Sequence, residues 1–135
     1  MNARVLIVDD EPAILDMLGE MFRVEGFIVD TCASARDACS RLQQSSPDLV
    51  ITDMRMETPS SGYEVLRAIQ QLSNPPPVIL FTAFPVSPAD VRSYGVDTVL
   101  MKGVNPSAVV AKARELLQAG QRTTGAASNR ADFRK

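Results

Sequence analysis

The sequence of 135 residues contains no histidine and no tryptophan, and its only cysteines are Cys32 and Cys39. Without histidine the chain cannot form a Ser-His-Asp triad, use an imidazole as a general base or carry a phosphohistidine, and most zinc sites are excluded. Two cysteines are too few for a four-thiolate metal site, and so low a count is typical of proteins from a reducing compartment. We therefore expect two buried thiols with no chemical role.

Long apolar segments are also lacking. No apolar run approaches the roughly 18 residues that a membrane-spanning helix requires, and the first run stops at Asp9 and Asp10. The composition, with 45% hydrophobic and 22% charged residues, is that of one soluble domain. We expect a cytoplasmic protein without a membrane partner.

Positive charge is scarce in most of the chain. The net charge is -2 and the pI is about 5.1, which argues against direct nucleic acid binding because phosphate backbones require a concentrated positive face. Residues 1–102 hold 8 Lys and Arg against 14 Asp and Glu, whereas residues 103–135 hold 6 against 2. An acidic body is thus followed by a basic C-terminal segment.

Five short apolar runs rich in β-branched residues predict β-strands. Most of them are uninterrupted rather than alternating, which is typical of parallel strands in a sheet that is covered on both faces. The runs are Val5–Val8, Phe27–Thr31, Leu49–Thr52, Val78–Phe81 and Thr98–Met101.

The segments between these strands carry helical periodicity. Five helices alternating with five strands predict an α/β fold, namely a five-stranded parallel doubly wound sheet of order 2-1-3-4-5 with helices on both faces, as in flavodoxin-like proteins. Residues 1–119 would form this domain, and residues 120–135 a flexible basic tail or the start of a linker. The first predicted helix starts at Pro12 and ends at Gly26, and the second and third carry the apolar stripes Ala35–Leu42 and Val65–Leu72. A short fourth helix follows Ser87, and Asn105 with Pro106 opens the last one, which ends at Gly120.

Polar residues follow the predicted strands. In a parallel sheet all carboxyl ends lie at one edge, so Asp9 and Asp10 after strand one and Asp53 after the adjacent strand three should converge. Thr82 follows strand four and Lys102 follows strand five. Considered alone, an aspartate pair in this position caps a helix more often than it binds a metal. A single threonine at a strand end is usually an ordinary strand residue, and a single lysine is usually solvated at the surface. Their occurrence together at strand ends favours a functional site.

Three converging carboxylates repel one another, and a divalent cation would relieve that repulsion. Hard oxygen ligands without His or Cys indicate magnesium (Mg²⁺), bound by Asp9 and Asp10. Asp53 could keep one oxygen free to attack phosphorus and form an aspartyl phosphate. Lys102 and Thr82 would then each bind one phosphoryl oxygen, and the metal a third.

These residues lie in four motifs, which are Val8-Asp9-Asp10-Glu11-Pro12, Ile51-Thr52-Asp53-Met54 with Met56, Phe81-Thr82-Ala83, and Gly95-Val96-Asp97 leading to Lys102. Through these motifs the sequence resembles the receiver domain of the bacterial two-component response regulator family. The resemblance implies that Asp53 accepts a phosphoryl group from a sensor histidine kinase or a phosphotransfer protein. It also implies that Asp9, Asp10, Asp53 and the backbone carbonyl of Arg55 hold Mg²⁺, and that Thr82 is the switch hydroxyl.

Several positions depart from the family pattern. Val99 stands where the family usually has an aromatic residue, and we hypothesise that Phe84 or Tyr94 takes that role. Gly103 follows the lysine in place of a proline, so we expect a trans peptide there, because a cis bond without proline costs about 3 kcal/mol. Glu57 replaces another common proline and Gly62 comes one residue later than usual, which predicts a reshaped loop. The segment from Thr82 to Gly95 is shorter than typical, in agreement with a short helix four. The Arg55 side chain could screen the phosphoryl group, although the simpler expectation is that Arg55 is exposed to solvent and has no role.

Three alternatives compete with an active receiver. A flavin or phosphate binder of the same fold would need an N–H-rich first loop, which the acidic residues after strand one oppose. A magnesium-dependent phosphatase would need a cap or pocket insertion that the length does not provide. A degenerate receiver, which binds partners without being phosphorylated, stays open because of positions 57, 99 and 103.

The interpretation we favour is a signalling phospho-switch rather than a metabolic enzyme. Such a domain catalyses only its own phosphorylation and dephosphorylation. We expect it to act on a downstream protein target through helix four, strand five and helix five, as a monomer or a phosphorylation-dependent dimer. Because no winged-helix or helix-turn-helix segment follows Gly120, direct DNA contact is not expected unless the chain is a fragment of a longer regulator, which the linker-like composition of its end allows.

Overall fold

The fold was obtained as a computed structural model, which describes the backbone of residues 2–125 and the side chains of residues 2–120. All five strands pair in parallel in the order β2-β1-β3-β4-β5, which confirms the predicted sheet. The strands are β1 (Arg4–Val8), β2 (Ile28–Cys32), β3 (Leu49–Thr52), β4 (Val78–Thr82) and β5 (Thr98–Met101).

Within residues 2–125, four helices connect these strands and a fifth follows β5. Helices one and five contribute core residues on one face of the sheet, and helices two and three contribute them on the other. The doubly wound arrangement is therefore as predicted. The helices are α1 (Pro12–Val24), α2 (Ala35–Ser45), α3 (Ser61–Gln70), α4 (Pro88–Ser93) and α5 (Ser107–Gly125).

The alternation of side chains along β1 explains why its sequence is apolar throughout. Val5 and Ile7 pack into the cluster that contains Phe22 of α1, whereas Leu6 and Val8 pack into the cluster on the opposite face. Successive residues of a strand point to opposite faces, and both faces are covered by helices here. All four side chains are buried.

Helix α4 is short, as predicted, and none of its residues is buried. The Ser87 hydroxyl accepts a hydrogen bond from the Asp90 amide at 3.0 Å and caps the helix. The Tyr63 hydroxyl on α3 donates to the Asp90 carboxylate at 2.6 Å, and the ring of Tyr63 packs against that of Tyr94 at 5.1 Å between centroids. Contacts with α3 therefore hold a helix that buries little apolar surface of its own.

The C-terminal helix differs from the prediction. Helix α5 continues beyond Gly120, where the sequence predicts its end, to Gly125. A single glycine costs a helix about 1 kcal/mol and does not stop it when no proline follows.

The predicted flexible tail of residues 120–135 lies largely outside the described residues. No helix within residues 2–125 has the length and apolar character needed to cross a bilayer.

Two smaller expectations were only partly correct. Strand β2 begins and ends one residue later than predicted, because the Phe27 amide donates to the Phe22 carbonyl at the end of α1, at 3.0 Å, and the ladder starts at Ile28. Cys32 is buried, but Cys39 on α2 is half-buried. Burial raises the pKa of both thiols, which favours their unreactive protonated form.

Candidate functional site

The carboxyl edge of the sheet carries the site residues that the sequence singled out. Asp9 and Asp10 follow β1, Asp53 follows β3, Lys102 follows β5, and Thr82 is the last residue of β4. The parallel ladder sets this arrangement, because the Asp53 amide donates to the Val8 carbonyl at 3.0 Å and the Lys102 amide to the Thr82 carbonyl at 2.7 Å.

Lys102 forms the centre of the site. Its ammonium lies 2.7 Å from Asp53 Oδ2, 2.9 Å from Asp9 Oδ2 and 2.8 Å from Glu11 Oε1, and its side chain is only 12% exposed. Burial by itself lowers the pKa of Lys102, but the hydrogen bonds to the three carboxylates outweigh this effect and raise the pKa well above its usual value. The ammonium is therefore a permanent positive charge at this edge.

Each of the two buried aspartates uses one oxygen for a backbone amide. Asp53 Oδ1 accepts from the Met54 amide at 2.7 Å, and Asp9 Oδ1 accepts from the Glu11 amide at 3.0 Å. Helix α1 has no side-chain cap, so Asp9 and Asp10 do not act as the helix caps that they would be if considered alone. The pKa of Asp9 is raised because burial outweighs the contributions of the Glu11 amide and Lys102 that lower it.

The acidic residues fit a divalent cation of the hard type. One carboxylate oxygen from each of Asp9, Asp10 and Asp53 lies within 4.8 Å of the others, and Asp10 is exposed to solvent. Carboxylate oxygens that face water are suited to Mg²⁺, which keeps several waters of its own. The donor set therefore agrees with the predicted metal, and the part played by the Arg55 carbonyl stays a prediction.

The raised pKa of Asp9 predicts a pH-dependent cost to folding. A carboxyl group with a higher pKa in the folded state favours folding when protonated, and that contribution is lost as pH rises through the folded-state pKa. In metal-free buffer, Asp9→Asn should therefore melt above wild type at neutral pH, by roughly 2–4 °C. The difference should shrink as pH falls towards 4, near the ordinary pKa of an aspartate. Thermal melts in EDTA between about pH 4 and 7.5 would measure this.

The exposed Asp16 on α1 offers the matched control for that measurement. Asp16→Asn makes the same chemical change outside the cluster, so its melting temperature should stay within about 1 °C of wild type across the range. A lower melting temperature for Asp9→Asn at neutral pH would contradict the interpretation of Asp9.

The segment from the end of β3 to the first turn of α3 carries Glu57 and Gly62, the two departures from which a reshaped loop was predicted, and that reshaping stays a prediction. The Glu57 carboxylate accepts a hydrogen bond from the Ala35 amide at 3.1 Å, at the start of α2. Burial would raise the pKa of Glu57, but hydrogen bonds from its own amide, from Ser61 and from Ala35 lower it overall. The Gly62 amide donates to the Met54 carbonyl at 2.8 Å, so the two backbones lie in close contact.

The departures near β4 and β5 have identifiable structural consequences. Among the described residues no peptide bond is cis, so the bond before Gly103 is trans as expected. Gly103 has a φ of 108°, which a residue with a side chain would disfavour.

Arg55 is exposed and its guanidinium lies 4.5 Å from the centre of the Phe84 ring. The Phe84 amide donates to Thr82 Oγ1 at 3.2 Å, which links that loop to the end of β4. Whether Phe84 or Tyr94 replaces the ring missing at Val99 stays a hypothesis.

Two contacts of acidic side chains do not follow from the sequence. The motif places Glu11 next to Asp9 and Asp10, but its contact with Lys102 joins residues 91 positions apart. Glu57 departs from the family pattern, but the sequence does not indicate that its carboxylate accepts from the Ala35 amide at the start of α2. A third carboxylate directly after Asp9 and Asp10 was the available signal for Glu11; no local pattern indicates the partner of Glu57.

Comparisons with known proteins agree with this geometry. The family model described as response regulator receiver domain matches residues 5–114. The transcriptional regulatory protein YvrH of Bacillus subtilis is 35% identical over 133 residues, which cover 95% of this chain and 54% of that protein. The chain thus spans about half the length of that relative.

Two solved structures show the same fold. A response regulator receiver domain protein (CheY-like) from Methanospirillum hungatei is 27% identical, with a TM-score of 0.82, and the match covers 90% of this chain and 98% of that one. The response regulator protein TrrA from Thermotoga maritima, solved in complex with Mg²⁺-BeF, is 33% identical with a TM-score of 0.75, covering 86% and 99%.

Proposed function

This chain belongs to the response regulator receiver domain family of two-component systems, and on that premise we propose that it is a magnesium-dependent switch phosphorylated on Asp53. The observation that carries the proposal is the position of Asp53. It is buried at the carboxyl end of β3, one of its oxygens contacts Lys102, and it shares a group of close carboxylate oxygens with Asp9 and Asp10. A carboxylate, a lysine and a hard-metal donor set meet at one point, as phosphoryl transfer to an aspartate requires.

Asp9, Asp10 and Asp53 would hold the Mg²⁺, with the Arg55 carbonyl as the further ligand that the family resemblance implies. When bound, the ion supplies positive charge that offsets the carboxylates and the phosphoryl oxygens. Support comes from the hard-oxygen donor set and from TrrA, whose structure is a complex with Mg²⁺-BeF.

Asp53 supplies the nucleophile. One carboxylate oxygen attacks phosphorus, the new O–P bond forms, and the P–N bond to the phosphohistidine of the donor breaks, with the electron pair leaving on the imidazole nitrogen. The Met54 amide at 2.7 Å from Asp53 Oδ1 fixes the carboxylate orientation and leaves Oδ2 directed towards Lys102. Oδ2 is therefore the atom that we assign to the attack.

Lys102 and Thr82 stabilise the group that is transferred. Lys102 is permanently charged and already lies 2.7 Å from Asp53 Oδ2, so it would pair with one phosphoryl oxygen without a large movement. Thr82 is buried at the end of β4 and its hydroxyl accepts from the Phe84 amide. A hydroxyl can accept and donate at the same time, so donation to a phosphoryl oxygen would release the Phe84 amide only if the Thr82 side chain rotates to bring Oγ1 closer to that oxygen. Such a rotation would alter the loop that leads to α4.

The partners follow from this chemistry. A sensor histidine kinase or a phosphotransfer protein would supply the phosphoryl group, and hydrolysis by water at the same site would reset the domain, so it acts as a switch and not as a metabolic enzyme. The signal would pass to a protein target through α4, β5 and α5, the elements adjoining Thr82 and Lys102. A phosphorylation-dependent dimer would use the same face.

Phosphorylation by a small-molecule donor tests the proposal directly. With acetyl phosphate and millimolar Mg²⁺, the intact mass should increase by one phosphoryl group. EDTA should prevent the increase, and Asp10→Asn should slow it by at least about 100-fold, because the metal contributes several kcal/mol to stabilising the transition state. Mass spectrometry over time measures both effects.

The control for Asp10→Asn is Asp16→Asn, which removes an exposed carboxylate of α1 outside the cluster and should react at the wild-type rate. If wild type gains no mass under any of these conditions while remaining folded, the chain acts without phosphorylation, as a protein-interaction module.

A further inference from the structure

The contacts of Lys102 show a feature that the proposed chemistry does not use. An ammonium has three N–H donors, and those of Lys102 are shared among Asp9, Asp53 and Glu11 at 2.7–2.9 Å. Asp9 and Asp53 also belong to the group of oxygens suited to a cation, whereas Glu11 does not. Glu11 is thus the partner of Lys102 that a metal ion would leave unchanged.

A cation and the ammonium would draw on the same two carboxylates, those of Asp9 and Asp53. Each buried aspartate has one oxygen bonded to a backbone amide, and the other, Oδ2, contacts Lys102. A divalent cation that binds these carboxylates therefore takes up negative charge that now pairs with the lysine, and the two positive groups repel. The ammonium needs another acceptor if it is to remain beside Asp53.

Glu11 is placed to be that acceptor. It lies at the first position before α1, its backbone amide is fixed by Asp9, and its side chain is 56% exposed while its carboxylate contacts Lys102. A half-exposed side chain can follow the ammonium by rotation at little cost. The fixed backbone keeps its carboxylate within reach.

We propose that Glu11 is a positioning residue that retains the Lys102 ammonium beside Asp53 when a divalent cation binds, so that cation and lysine occupy the site together. This inference rests on the proposed magnesium-dependent function. In this proposal Glu11, the third acidic residue after β1, does not bind the metal itself. It affects binding of the cation by holding the Lys102 ammonium.

The affinity for Mg²⁺, measured by titrating amide resonances in NMR at constant ionic strength, tests this role. Glu11→Gln should weaken Mg²⁺ binding by about 5-fold, within the range known for coupled neighbours. In the Lys102→Met background the same substitution should change the affinity by less than about 2-fold, because no ammonium remains to be accommodated. Glu20→Gln removes one charge from the exposed face of α1, roughly 13 Å along the helix from Glu11. This substitution should change the Mg²⁺ affinity by less than about 2-fold.

Glu11→Asp makes the test independent of the Lys102 variant. This substitution keeps the negative charge but shortens the side chain by one methylene, so it should weaken Mg²⁺ binding nearly as much as Glu11→Gln. The proposal is overturned if Glu11→Asp binds Mg²⁺ with wild-type affinity. It is also overturned if Glu11→Gln weakens Mg²⁺ binding equally in the wild-type and Lys102→Met backgrounds. Either result would mean that the Glu11 carboxylate acts only through its negative charge and not by positioning Lys102. If wild type itself shows no saturable Mg²⁺ shifts, the proposed magnesium-dependent function fails, and the inference fails with it.

Discussion

Asp53→Asn is expected to abolish phosphorylation by acetyl phosphate completely. An amide is not a nucleophile towards phosphorus at neutral pH, so the loss should be total and not a reduction in rate. The variant should fold, because the Asn oxygen can still accept the Met54 amide that now bonds Asp53 Oδ1 at 2.7 Å. Lys102 also keeps two carboxylate partners, Asp9 and Glu11. Intact-mass spectrometry and thermal melting of the same sample would establish both points.

Peptide mapping makes this result specific. Wild type should carry the phosphoryl group on the peptide that contains Asp53, and Asp16→Asn should be modified to the same extent as wild type. A phosphoryl group found on Asp9, Asp10 or Glu11 would show that a different carboxylate is the nucleophile. Unchanged modification of Asp53→Asn would contradict the assignment of the reactive atom.

Most of the fold could be predicted because the strands of a doubly wound sheet are buried on both faces. β3 and β5 begin and end at the predicted residues, since uninterrupted apolar runs between polar residues leave little freedom. Strand β2 starts and ends one residue later than predicted because the Phe27 amide bonds the Phe22 carbonyl at the end of α1, at 3.0 Å, and the ladder begins at Ile28. The apolar character of Phe27 gives no local signal of that backbone bond.

The site was predictable only in its outline. Strand order alone brings the residues after β1, β3 and β5 to one edge, so the meeting of Asp9, Asp53 and Lys102 follows from topology. Which carboxylates the lysine contacts depends on side-chain lengths and loop paths. Glu11 and Glu57 became significant only when the structure showed their partners, Lys102 and the Ala35 amide.

Gly62→Ala is expected to destabilise the protein by about 2 kcal/mol or more, in spite of the higher helix propensity of alanine. Gly62 lies in the first turn of α3, and a Cβ atom there would be 2.5 Å from Met54 Cα and 2.7 Å from the Met54 carbonyl oxygen. The third nearest atom is the Asp53 carbonyl oxygen at 2.8 Å. These are backbone atoms, so relief requires movement of α3 or of the backbone around Asp53, the proposed phosphoryl acceptor.

Gly120→Ala provides the matched control, because the same substitution in α5 would meet no atom within 4 Å. It should stabilise the helix by up to about 1 kcal/mol, so the two glycines should shift the urea midpoint in opposite directions. Gly62→Ala should also slow the reaction with acetyl phosphate, since the displaced backbone carries Asp53, whereas Gly120→Ala should not. A neutral or stabilising effect of Gly62→Ala would mean that the loop after β3 can yield freely. The backbone contact between Gly62 and Met54 would then not determine the position of Asp53.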